Sequence, residues 1–91
     1  MTVYVDDLMG CRPNPRWPYT RACHLFADNL EELHEFAARI GMKRAWFQPH
    51  GRLDHYDLTP GKRAQAVRLG AVEADRQTVL AHLRPRRTID R

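Results

Sequence analysis

Three observations predict a small single-domain α/β fold for this chain, a mixed sheet of about 4–5 short strands covered by about three helices. Short β-rich runs alternate with segments of helical period. Cap and stop residues fall at the boundaries between them, and 91 residues suffice for one modest core. Residues 1–84 are expected to form that α/β domain, and residues 85–91 a basic, flexible C-terminal tail.

Val3-Tyr4-Val5 starts the first strand, which Asp6-Asp7 and Gly10 end. Pro13, Pro15 and Pro18 hold residues 10–19 in an irregular loop, whose Arg12, Arg16, Trp17 and Tyr19 are candidates for one wall of a pocket. Ala22 to Ala27 reads as the second strand. Asp28 follows as an N-cap with Glu31 and Glu32 in the first helical turn. Leu30, Leu33, Phe36, Ala37 and Ile40 then form one apolar stripe, and Gly41 supplies the C′ stop.

Lys43 to Gln48 is expected to be a third strand around Ala45-Trp46-Phe47, with Trp46, Phe47 and Tyr4 in the core. A turn through Pro49-His50-Gly51 would join it to a fourth, His55 to Leu58, as a hairpin. Thr59 as N-cap with Pro60 at N1 opens a second helix that ends at Gly70. Ala71-Val72-Glu73 is a further short strand, and Asp75 caps a third helix with Val79, Leu80 and Leu83 on one side, closed by Pro85.

The formal charge is +4, but the four arginines after Leu83 against Asp90 place +3 of it in the last eight residues. The body is nearly neutral, so bulk charge alone does not specify a nucleic-acid partner. No run of apolar residues reaches the roughly 18 needed to span a bilayer, and no cationic leader opens the chain, so a cytoplasmic protein with reduced Cys11 and Cys23 is expected.

The richest stretch is Asp54-His55-Tyr56-Asp57, followed by Thr59-Pro60-Gly61-Lys62-Arg63. A period of two puts His55 and Asp57 on one strand face and Tyr56 and Leu58 on the other, just where a helix begins. Together with Val3-Tyr4-Val5-Asp6, His24-Leu25, Asp28, Glu32-Leu33-His34-Glu35-Phe36-Ala37-Ala38-Arg39 and Gly70-Ala71-Val72, this stretch makes the chain resemble a bacterial and phage family catalogued as domain of unknown function 4031. That resemblance covers nearly the whole chain and implies a family without a function.

His24, His34 and His55 lie on separate elements, each near a carboxylate, which permits one converging site. The first functional interpretation is a binding or interaction module for a phosphorylated ligand, nucleotide or nucleic acid. The helix start at Thr59, with Lys62, Arg63 and the rings of Trp46 and Tyr56, would hold it, with His24 and Asp28 nearby. The alternative is metal-assisted hydrolysis of a phosphoester, with His24, His34, His55 and Asp57 as ligands of a divalent cation. In either case His55 is the candidate acid or base, Asp57 its orienter and His34 a further catalytic candidate, while Asp6 and Asp7 could add carboxylates for Mg²⁺. The chain has no serine, which leaves Thr59 and Cys23 as the nearby nucleophile candidates. A third interpretation makes His55, Asp57 and Arg63 a structural lock between sheet and second helix. Exposed strand edges make a homodimer an expected arrangement.

Overall fold

A computed structural model describes residues 2–49 and 52–83. Five strands form, β1 (Val3–Val5), β2 (Met9–Gly10), β3 (Arg21–Ala27), β4 (Tyr56–Leu58) and β5 (Val72–Glu73), with three helices, α1 (Leu30–Arg39), α2 (Pro60–Arg68) and α3 (Arg76–His82). The expected mixed α/β sheet is therefore present, gaining the two-residue β2 and losing one strand discussed below. The tail at 85–91, with the Pro85 stop, and the His50-Gly51 part of the expected turn lie outside the described residues.

β3 is the spine. β1 runs antiparallel along it with Tyr4 opposite Phe26, and β4 runs antiparallel with Asp57 opposite His24. Leu25 pairs with both Val5 and Tyr56, so β1 and β4 occupy opposite edges. β2 pairs with the start of β3, and β5 lies parallel to β1.

Alternation along these strands makes the two sheet faces chemically different. Val3, Val5, Cys23, Leu25, Tyr56 and Leu58 turn to one face and are buried with Leu33, Phe36, Ala37 and Ile40 of the α1 segment and Ala66 of α2. On the opposite face Tyr4 stacks on Phe26 at 5.1 Å between ring centroids, and the His82 ring of α3 meets both. Leu80, expected on the packing side of α3, is instead exposed. No helix of the described residues is long and apolar enough to cross a membrane.

The caps show where local signals decide and where tertiary contacts override them. Thr59 caps α2 and Asp75 caps α3 through their side chains, as their positions imply. At α1 the cap is Asn29, whose Oδ1 accepts the Glu32 N–H at 2.8 Å, rather than Asp28. Asp28 is drawn away by longer-range partners: the Tyr4 hydroxyl and the Thr2 N–H, each at 3.2 Å, and His82 Nε2 at 2.9 Å. Gly41 ends the α1 segment at φ +81°, a left-handed conformation that disfavours any side chain there. A Cβ at that position would also stand 3.0 Å from the Lys62 ammonium, which donates to the Ile40 carbonyl.

Lys43 to Gln48 does not form the expected strand. Arg44–Trp46 is a 3₁₀ turn, and pairing shrinks to a single bridge between Gln48 and His55. The apolar triplet divides: Phe47 reaches the rings of His34 and Tyr56, at 4.6 and 5.6 Å, while Trp46 is 48% exposed with the Lys43 ammonium 5.5 Å from its ring. A strand would have sent these two side chains to opposite sheet faces. The turn spends only Phe47 on the core.

The His82–Asp28 contact ties α3 to the start of α1 and predicts a pH dependence. The Asp28 hydrogen bond, aided by the Thr78 carbonyl, raises His82 above its ordinary 6.5, and the His82 hydrogen bond lowers Asp28 below 3.8. The His82 contribution is therefore complete below about pH 6.5 and lost as pH rises through the raised value. The Asp28 contribution is complete above about pH 4 and lost as pH falls through the lowered one. His82→Gln should narrow the melting-temperature gap from the parent as pH increases from 6 to 9; an unchanged gap would contradict the contact.

A candidate metal centre

The alternation that buries Tyr56 and Leu58 turns Asp57 and His55 to the opposite face, and strand register sets His24 directly beside Asp57. The His24 and His55 rings meet edge to face with centroids 4.6 Å apart. His55 Nε2 is 3.4 Å and His24 Nε2 3.9 Å from the same Asp57 oxygen, and one ligand atom from each of the three residues fits within 4.8 Å. Donors around a tetrahedral zinc with bonds of roughly 2.0–2.1 Å stand about 3.3–3.4 Å apart. The His55–Asp57 pair already has that spacing, while the His24 atom, 3.9 Å from the same oxygen and within 4.8 Å of the other ligand atoms, would have to move inward to coordinate.

What lies behind the cluster fixes its chemistry. Asp6 accepts twice from His24, from the backbone N–H at 2.6 Å and from ring Nδ1–H at 2.7 Å. His55 Nδ1–H donates to the Leu53 carbonyl at 2.7 Å, and Gln48 donates to the second Asp57 oxygen. Both imidazoles are held by Nδ1, so each neutral ring turns its Nε2 lone pair toward a carboxylate. Lone pairs facing a carboxylate repel unless a proton or a cation sits among them.

The titration directions follow. Burial, the largest influence on His55, pulls its pKa down, but the hydrogen bonds with Asp57 and Leu53 and the Asp57 charge outweigh it, so His55 is raised. Asp57 is lowered, first by the His55 hydrogen bond, against burial. The side chains of His24, His55 and Asp57 are 32%, 13% and 31% exposed, which leaves the cluster open to solvent on one side.

Other expected site residues are placed elsewhere. His34 does not join the cluster: it belongs to α1, on the opposite sheet face, where its Nδ1 and the Tyr56 hydroxyl are hydrogen-bonded at 2.8 Å. Burial and the nearby Arg44 lower its pKa. Tyr56 is a core residue rather than a ligand-stacking one. Asp28 is held at the His82 contact, whereas Lys62, whose ammonium donates to the Ile40 carbonyl, lines the same cleft as Asp57. Arg63 donates through Nε to the Asp6 carbonyl and pairs with Glu73 at 3.2 Å, so it is not the partner that a His55–Asp57–Arg63 lock requires. Burial, then the Asp6 charge, push the Cys23 thiol up to about 12, which removes it as a nucleophile. Trp46 lines a cleft of about 760 Å³ that also borders Asp57 and Gln48.

The sequence alone offers Asp6 only as an extra carboxylate and carries no signal for Gln48. The signal for Asp6 is the β1–β3 register: one step of two beyond the pair Tyr4–Phe26 comes Asp6 opposite His24.

Residues 3–86 match the family described as protein of unknown function, DUF4031. The chain belongs to this family. Comparison with curated proteins returned no match, and neither did comparison with solved structures. In this DUF4031 chain the matched span includes His24, His55, Asp57 and the residues behind them.

Proposed function

We propose that this DUF4031 protein binds a divalent metal ion through His24, His55 and Asp57 and uses it in hydrolysis of a phosphoester. The observation that carries the proposal is the convergence of two Nε2 atoms and a carboxylate, each anchored from behind by Asp6, Leu53 and Gln48. Such anchoring of ligands by carboxylate and carbonyl acceptors is the usual support of metal-binding histidines. Three protein ligands with solvent access are the composition of catalytic zinc sites, which keep a position for water or substrate, rather than of closed structural ones. A bound ion would supply Lewis acidity and a water activated near neutral pH. The chain's own contribution is to fix tautomer and ring orientation and to leave the face beside the cleft accessible.

Chelator-stripped protein titrated with Zn²⁺ or Mn²⁺ by calorimetry should bind one ion per chain. His24→Ala and His55→Ala should each abolish that binding, while His34→Ala retains it. A parent that binds neither ion, or a His55→Ala variant that binds as well as the parent, removes the centre. Hydrolysis is read with a chromogenic phosphodiester: metal-dependent turnover lost in His55→Ala is expected, and metal binding without turnover of this or a nucleotide ester removes the hydrolytic part.

A further inference from the structure

The cleft bordering Asp57 has walls from two segments that the cluster does not use. One is the loop held by the reciprocal Asn14–Trp17 backbone bridge, which presents Trp17 and Tyr19 with ring centroids 5.1 Å apart. The other is the 3₁₀ turn with its flanks, which presents Trp46 and Phe47. Two of these rings, Tyr19 and Trp46, are 46% and 48% exposed, an arrangement that costs apolar hydration in the unliganded chain. Cations accompany them: Arg16 lines the cleft, the Lys43 ammonium lies over Trp46, and the Arg44 guanidinium is 5.2 Å from the Phe47 ring centroid. The indole Nε1–H of Trp17 is shielded from water and has no hydrogen-bond partner among the described residues.

We infer that this cleft is a binding subsite for single-stranded nucleic acid, with unstacked bases seated on Trp46 and Tyr19 and the backbone phosphates on Arg16 within the cleft and on Lys43 and Arg44 beside its rings. Aromatic faces interleaved with cations match a chain that alternates flat bases with anionic phosphates. A duplex hides its base faces, and an acidic peptide offers no regular alternation of flat rings with anions. Positioning of the phosphodiester over Asp57 rests on the metal proposal; the stacking itself does not, because the rings and cations are separate from the ligands.

The chain's two tryptophans, Trp17 and Trp46, both line the cleft, so intrinsic fluorescence reads it directly. Oligothymidylate added to the full chain in chelator should quench this fluorescence saturably, with affinity falling as salt rises. Trp46→Ala should weaken binding about tenfold, with the remaining Trp17 as reporter, and Trp46→Phe should recover most of the loss. Tyr19→Ala provides a second variant at an exposed ring. Absence of quenching in the parent, equal affinity in both alanine variants, or equally tight binding of base-free polyphosphate would overturn the inference. A parent that quenches in chelator yet binds no Zn²⁺ or Mn²⁺ keeps the cleft and loses the metal centre; the reverse result loses the cleft alone.

Discussion

Leu25→Ala is expected to destabilise the protein by about 2–5 kcal/mol, the range for removing a fully buried leucine side chain. Leu25 is inaccessible to solvent and sits at the one register position where β3 is paired on both edges, with Val5 and with Tyr56. Strands pinned on both sides and helices packed on that face leave the site little freedom to collapse into the cavity. Small domains hold roughly 5–15 kcal/mol in total, so the variant should be substantially unfolded at modest urea. Urea unfolding checks this by the midpoint; a loss below about 1 kcal/mol would mean that the core relaxes around β3 far more than close packing allows.

Asp6→Asn is expected to weaken Zn²⁺ binding about 10–100-fold, the usual effect of removing a carboxylate behind a metal-bound histidine. Asparagine keeps the size and still accepts the His24 backbone N–H through its carbonyl oxygen. It lacks the negative charge that makes the imidazole a stronger donor to a cation. Arg63 contacts Asp6 only through the backbone carbonyl and should not be disturbed. Calorimetric titration gives the affinity, and a melt in chelator isolates any metal-independent loss. An unchanged affinity would make Asp6 a purely structural acceptor.

Segments whose boundaries are set by neighbouring residues were legible in the sequence. Thr59-Pro60 and Asp75 start their helices from local chemistry alone, and Gly41 and Gly70 both adopt the positive φ that stops one. Lys43 to Gln48 was not legible, because a short apolar triplet fits a strand as well as a turn until Phe47 finds the rings of His34 and Tyr56. Asp28 lost its cap role to partners 24 and 54 residues away, which no local window contains. Pairing of His55 with Asp57 follows from a period of two, whereas adding His24 and rejecting His34 requires the strand register and the knowledge of which face α1 covers.

Along β3 and β4 the cluster and core residues take turns, so a slip of β4 by one residue against β3 would turn every β4 side chain to the other face. Asp57 would move into the packed interior, away from His24, while Tyr56 and Leu58 emerged into water. Coordination by this cluster would therefore require a correctly threaded chain. A bound ion would act as an assembly proofreader, deepening the native basin by an amount set by its free concentration and leaving misregistered competitors without that help.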